Sequence, residues 1–238
     1  MISVCMATFN GGKYIEEQIN SILLQLGKED EIIISDDCST DNTLEIIRKL
    51  DDNRIKIYQN NKLHGYAHNF ENALIHSAGD YIFFSDQDDV WLPNKVETML
   101  PYLQDDHFVI SDAYITNEEL EVKGKLSTWR TYKKGYFQNL YKSIYAGCTC
   151  AFTKRIKDYV LPFPSTKHIQ HDNWIGLLCE LKFNVVYVDE PLILYRRHNS
   201  NTSGAGSKSS KTPLFMIKYR SVLFFTTLVR FIKRKSTD

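Results

Sequence analysis

Long hydrophobic runs are scarce in this chain. The longest uncharged apolar stretch of its C-terminal region, Ser221–Val229, is far too short to span a bilayer. Net charge is absent too: 29 Lys and Arg balance 29 Asp and Glu, so no global field singles out nucleic acid as a partner. Cysteine is sparse, and the five present (Cys5, Cys38, Cys148, Cys150 and Cys179) include no CxxC pair. An odd count without that spacing argues against a disulfide framework and against a zinc site. Cys148 and Cys150 have no second ligand pair nearby and read as small buried apolar side chains. No basic segment precedes the first apolar run, Ile2–Ala7, so no signal peptide is expected and the expected location is cytoplasmic.

What is present is globular. Of the 238 residues, 43% are hydrophobic, 24% charged and 13% aromatic, enough for one large or two small domains and unlike a disordered chain. The zero net charge hides an asymmetry. Residues 191–238 hold ten Lys and Arg against one acid, Asp238. An acidic body suits a metal ion, and a basic tail suits an anionic surface.

Strand and helix patterns alternate through the first half. Ile2–Thr8, Glu31–Ser35, Ile55–Gln59 and Tyr81–Ser85 read as buried strands, and helical spacing fills Tyr14–Leu26, the segment up to Leu50, and Tyr66–Ser77. Pro93 then opens a helix through Leu103. Four βα units in succession predict a mostly parallel sheet covered on both faces. Ligands of such sheets bind beyond the carboxyl ends of the strands. The polar clusters Thr8–Gly12, Asp36–Asp41 and Asp86–Asp89 all fall there. In the second half, Phe108–Asp112, Ala146–Thr153, Val185–Val188 and Leu192–Arg196 read as strands, and His171–Leu181 as a helix. Asn117–Lys134 reads as irregular or a hairpin, and residues 199–212 as a linker.

Three carboxylates in four residues, Asp86, Asp88 and Asp89, repel one another unless something positive neutralises them. A hard divalent cation, Mg²⁺ or Mn²⁺, does so and shares its shell with phosphate. A solvated acidic turn at the start of the next helix is the plainer reading. Asp86-Gln87-Asp88-Asp89-Val90 also matches the aspartyl-phosphatase nucleophile pattern of the haloacid dehalogenases, although there the pattern ends the first strand of the domain.

Ala7-Thr8-Phe9-Asn10-Gly11, Ser35-Asp36-Asp37-Cys38-Ser39-Thr40-Asp41 and Ser85-Asp86-Gln87-Asp88-Asp89-Val90-Trp91, in this order and separation, resemble the family 2 glycosyltransferases with the GT-A fold. His171-Asp172-Asn173-Trp174 and Tyr195-Arg196-Arg197-His198-Asn199-Ser200-Asn201 are similar to bacterial polysaccharide rhamnosyltransferases. The resemblance implies a GT-A domain over 1–205 and a basic amphipathic tail over 206–238. It implies inverting transfer of a sugar, expected to be rhamnose, from a dTDP- or UDP-sugar to a saccharide acceptor that can be carried on a polyprenyl lipid. A GT-A-like domain that only binds nucleotide or glycan is the non-catalytic alternative. Site by site, the resemblance gives Thr8, Asn10 and Asp37 to the nucleotide, and Asp86 and Asp88 to the metal. It makes Asp172 the catalytic base and brings His198 and Arg197 to the metal or diphosphate. Cys38 stands where the family often has Gly, and His64 where a small or polar residue is usual, which leaves the base and ribose contacts less defined than the metal site.

Trp174, two residues after the expected base, and Trp129, at the start of the aromatic stretch through Tyr145, are candidates for acceptor binding. In the tail, Leu214, Ile217, Phe224, Phe225, Leu228, Phe231 and Ile232 share a helical face, with Lys218, Arg220, Arg230, Lys233 and Arg234 mostly off it. Such a helix either lies in a membrane interface or docks on the body or another copy.

Overall fold

The computed structural model describes residues 1–61, 63–129, 131–166, 169–199, 201 and 212–235. Its N-terminal half follows the apolar pattern closely. Strands β1 (Ile2–Thr8), β2 (Glu31–Asp36), β3 (Ile55–Gln59) and β4 (Tyr81–Ser85) are parallel, linked by helices α1 (Ile15–Leu23), α2 (Thr43–Lys49) and α3 (Tyr66–His76). They lie in the order β3-β2-β1-β4. The chain therefore reverses direction across the sheet between β1 and β4, which opens a crevice at their carboxyl ends.

Alternation along each strand feeds two cores. Val4, Met6, Ile32, Ile34 and Phe83 point to one face, with Ile15, Ile19 and Ile22 of α1. Cys5, Ile33, Ile82 and Phe84 point to the other, with Phe70 and Leu74 of α3. Both faces are covered, so the strands read as continuous apolar runs. Each large side chain buried this way contributes about 1.5–3 kcal/mol.

Beyond β4 the sheet is mixed. After β5 (Val90–Trp91) and α4 (Lys95–Leu103) come β6 (Phe108–Thr116), β7 (Val122–Lys125), the short helix α5 (Tyr136–Tyr141), β8 (Cys150–Thr153) and α6 (Lys154–Val160). Helix α7 (His171–Lys182), β9 (Val185–Arg196) and α8 (Pro213–Lys235) complete the fold. β8 lies antiparallel between β4 and β6, β9 runs parallel to β6, and β5 pairs antiparallel with β9. The mostly parallel sheet expected is parallel throughout β1–β4 and continues into a mixed half beyond β4. The two strands expected at Val185–Val188 and Leu192–Arg196 are one. Pro191 lacks an N–H, and the register shifts beside it, opposite Asp112, keep the ladder going. Of Ala146–Thr153 only the last four residues are strand, since Gly147–Thr149 forms a 3₁₀ turn.

Helix α8 packs on the body. Leu223 and Thr227 are buried, and Tyr136 and Thr227 share a 2.6 Å hydrogen bond between hydroxyls. Arg230 donates to the carbonyls of Tyr159, Val160 and Leu161 at 3.1, 3.0 and 2.9 Å, and Arg234 donates to that of Leu161 at 3.0 Å. These guanidinium groups satisfy the last carbonyls around the end of α6, where cations also favour the helix dipole. Arg220 donates to the Tyr141 carbonyl at 2.6 Å. Three of the cations expected on a free polar face therefore hold the helix in place. Most of the linker expected at 199–212, and the boundary at 205, lie outside the described residues.

Candidate active site

The strand ends meet as the parallel topology requires. Asp36 is fully buried and accepts hydrogen bonds from the Thr8 hydroxyl (2.9 Å), the Ser39 hydroxyl (2.6 Å) and the Ser39 amide (2.8 Å). Asn10, at φ 49°, donates its amide to the Ser39 hydroxyl and accepts the Thr40 amide on its side-chain oxygen at 2.8 Å. Thr8 and Asn10 thus lock the loops after β1 and β2 together. Asp37 gathers a third loop: its carboxylate accepts the Asn60 side chain (3.0 Å) and the Gly65 amide (2.8 Å) and meets His64 Nδ1 at 2.8 Å. Gly65 has φ 110°, a conformation costly to any residue with a Cβ.

Gln87 joins β1 to β4. Its side-chain amide accepts the Phe9 N–H at 2.9 Å and donates to the Phe9 carbonyl at 3.1 Å. A Cβ on Gly11 would sit 2.3 Å from the Gln87 oxygen, so a larger residue there would push the Gln87 side chain out of this bridge. Phe9 itself is 54% exposed. Its open ring, beside the loops that hold Asp37, is a stacking surface that apolar patterning does not reveal.

The acidic turn faces inward. Asp88 Oδ2 lies 2.8 Å from His198 Nε2 and accepts the Asn201 side-chain amide at 3.0 Å. Asp89 is fully buried; its Oδ1 accepts the Arg196 backbone amide at 3.0 Å, and its Oδ2 has no hydrogen-bond partner among the described residues. Ligand atoms of Asp86, Asp89 and Cys148 all lie within 4.8 Å of one another. Burial, and then the charges of Asp88 and Asp172, push the Asp86 carboxyl up to about 7. Burial, and then the charges of Asp88 and Asp86, raise Asp89 as well. Burial, and then the charges of Asp89 and Asp86, raise the Cys148 thiol too. Crowded carboxylates, an imidazole and an orphaned buried oxygen fit a hard divalent ion, Mg²⁺ or Mn²⁺.

One internal cation already stands there. Lys95 is fully buried, donates to the Cys148 carbonyl at 2.7 Å and lies 4.1 Å over the Trp91 ring. Burial lowers its pKa to about 8. Lys95→Met should cost about 1–3 kcal/mol of stability, because it leaves a buried carbonyl unpaired. Urea denaturation measures this, and an unchanged midpoint would show that the ammonium is dispensable.

Asp172 sits in the first turn of α7, where its carboxylate accepts the Asn173 amide at 2.7 Å. Its charge acts on Asp86 of the acid cluster, and also on Tyr66 and Tyr219. Burial and Asp172 together raise both phenols, so they remain hydroxyl donors. Tyr219 comes from α8 and accepts the Asn173 side-chain amide at 2.9 Å. His171, stacked 4.2 Å from Phe70, is buried and held neutral, its pKa lowered to about 3.

Other expectations land elsewhere. Trp174 is only 1% exposed, and its indole N–H donates to the Val160 carbonyl at 3.0 Å. The Arg230 guanidinium covers its ring at 5.2 Å, so Trp174 is a core residue and not an acceptor platform. Trp129 is exposed on the turn after β7. Arg197 rests against Tyr195, with its guanidinium 5.8 Å from the ring centre. The arginine at the acid cluster is Arg196, which donates to the carbonyls of Asp88 and Glu118 at 2.8 Å each, pairs with Glu17 and lies 4.8 Å from the Tyr14 ring. Choosing between adjacent arginines needs the strand register, which spacing alone does not supply.

The family model for Glycosyl transferase family 2 matches residues 3–160. The dTDP-rhamnosyl transferase RfbG of Shigella flexneri is 31% identical over 217 residues, covering 84% of this chain and 74% of that protein. The UDP-Glc:alpha-D-GlcNAc-diphosphoundecaprenol beta-1,3-glucosyltransferase WfgD of Escherichia coli is 26% identical over 211 residues, covering 89% and 83%. Among solved structures, S. aureus TarS 1–349 in complex with UDP-GlcNAc superposes with a TM-score of 0.65 at 20% identity. That likeness covers 93% of this chain and 66% of the TarS chain, and it shows the GT-A architecture. With this fold, and with a family match running from β1 through α6, the chain belongs to the family 2 glycosyltransferases.

Proposed function

We propose that the chain transfers a sugar, with inversion, from a nucleoside-diphosphate donor to a hydroxyl of a growing cell-surface polysaccharide or lipid-linked glycan. The observation that supports this most is the acid cluster at the end of β4, where Asp88 meets His198 at 2.8 Å and the charge of Asp172 reaches Asp86. Rhamnose from dTDP-rhamnose is the proposed donor, supported by the RfbG relative; the WfgD relative supports a UDP-hexose as second choice.

In this reading Asp37, Thr8 and Asn10 shape the nucleotide end, and the Phe9 ring offers the base a face. Asp88 and Asp86, with His198 from the loop after β9, hold the divalent ion. When bound, that ion supplies Lewis-acid stabilisation of the departing diphosphate, worth several kcal/mol. Asp172 accepts the proton of the attacking hydroxyl, and the protonated Tyr66 and Tyr219 flank it as donors that orient the acceptor. A single in-line displacement needs no protein nucleophile. Trp129 is retained as a low-ranking acceptor contact, and Arg197 as a diphosphate contact. The catalytic domain spans 1–205, and a lipid-carried acceptor would keep the reaction at the cytoplasmic face of the plasma membrane.

Thermal-shift titration with dTDP-rhamnose, UDP-glucose and UDP-GlcNAc, with and without Mn²⁺, tests this. A donor at a hundredfold its Kd stabilises by about 2.7 kcal/mol, and dTDP-rhamnose with Mn²⁺ should give the largest shift. A larger shift with UDP-glucose reassigns the donor. No shift with any of the three, or phosphate release from simple esters, overturns the reading.

A further inference from the structure

We infer that α5 and the outward face of α8 form one surface that lies on an anionic lipid bilayer, a proposal that goes beyond the transferase reading and does not depend on it. On α8, Leu214, Ile217, Phe225, Val229 and Ile232 are each at least half exposed. At about 100° per residue they fall within one third of the helix circumference. The opposite side is the one packed on the body, through Leu223, Thr227 and Arg230. The docked helix therefore keeps a second apolar stripe that is exposed among the described residues.

Helix α5 extends that stripe. Phe137 is 73% and Tyr141 67% exposed. The two helices are continuous through ring contacts: Phe137 to Tyr136 at 5.3 Å, Tyr136 to Phe224 at 6.4 Å, and Phe224 to Phe225 at 5.4 Å. Arg220 of α8 lies 4.5 Å over the Tyr141 ring.

Charge decides the occupant. No acid occurs between Glu121 and Asp158 or between Glu190 and Asp238. Lys133, Lys134 and Lys142 around α5, and Lys218 and Lys233 on α8, are exposed. Acids beside the two helices are engaged: Glu180 accepts from Tyr145, Asn139 and Gly135, Asp158 pairs with Lys154, Asp172 accepts the Asn173 amide and Glu71 the Phe163 amide. A second copy docked through this face would set lysines against lysines with no carboxylate to answer them. Exposed aromatic and aliphatic side chains with lysines and no acids match the headgroup region of an anionic leaflet. Among the described residues no helix is long and apolar enough to cross a membrane, so α8 lies in the plane of the surface. The same helix carries Tyr219, bonded to Asn173 beside Asp172, so the bilayer would sit next to the acceptor side of the crevice.

Co-sedimentation of the full chain with vesicles tests this, comparing phosphatidylcholine alone with phosphatidylcholine containing phosphatidylglycerol. The chain should pellet with the anionic vesicles, more weakly with the neutral ones and less at high salt. The double variant Phe225→Glu/Ile232→Glu should weaken binding at least about tenfold. Lys133→Glu/Lys142→Glu should remove the preference for the anionic lipid. Both alter exposed residues away from the crevice, so circular dichroism and nucleotide-sugar thermal shifts should be unchanged. Failure to pellet with anionic vesicles overturns the proposal. So does binding indifferent to Phe225→Glu/Ile232→Glu, or a concentration-dependent dimer that those substitutions abolish. Loss of nucleotide-sugar shifts in the parent chain would instead strike the transferase reading and leave vesicle binding as it is.

Discussion

Asp172→Asn should lower single-turnover sugar transfer by about 10²–10⁴-fold, the usual contribution of a general base, while nucleotide-sugar affinity stays within a factor of about three. The amide keeps the shape of the carboxylate and can still accept the Asn173 N–H. It cannot take a proton from an acceptor hydroxyl. Donor binding should be spared for an electrostatic reason. Asp172 is one of the charges that raise Asp86, so neutralising it makes Asp86 easier to ionise, and a metal ligand must be ionised to bind. That gain offsets the loss of the attraction that Asp172 itself exerts on a cation, so the net change in metal affinity should be small. Rapid-quench assays beside calorimetric donor titrations measure both, and wild-type turnover in the variant would move the base elsewhere.

Asp88→Ala should lose both activities. If the ion that Asp88 holds stabilises the leaving diphosphate by several kcal/mol, its removal costs about 10²–10³-fold or more in rate. Donor affinity should also fall, and its dependence on Mn²⁺ should vanish. Asp88 has a second duty, since it holds His198 and Asn201 of the loop after β9. Asp88→Asn separates the two. Its amide oxygen still accepts from Asn201, but it brings no charge to an ion. A metal role predicts that Asn and Ala variants are equally inactive in Mn²⁺-supported transfer. Rescue by Asn would mean that the aspartate only ties down the loop.

The residues that carry these expectations were readable because they sit where continuous apolar runs stop. β1, β3 and β4 have the bounds that the apolar runs predict. Thr8 closes β1, and Asp37, Asp86 and Asp88 lie in the polar clusters at the ends of β2 and β4, while their expected roles came from the family resemblance. Elsewhere local pattern loses to context. The gap expected between Val185–Val188 and Leu192–Arg196 is absent, because register shifts opposite Asp112 carry the ladder past Pro191. α5 and α6 have six and seven residues, about two turns each, too short for a helical period to show. Trp174 looked available because it follows Asp172 by two positions, but that spacing turns it to the other side of α7, under Arg230. The tail arginines looked like a polar face. They are bonded instead to carbonyls at the end of α6, contacts between segments about seventy residues apart. Lys95 reads as an ordinary residue in the first turn of a helix and is a buried counter-charge to Asp86 and Asp89.

Crystals of the chain grown with a nucleoside diphosphate and Mn²⁺, measured at the manganese absorption edge, probe the core of the account. An anomalous peak touching a carboxylate oxygen of Asp88 and the bound diphosphate, with Asp172 open to the far side of the same crevice, is the expected result. A nucleotide seated away from the ends of β1 and β4, or manganese bound without Asp88, would contradict it.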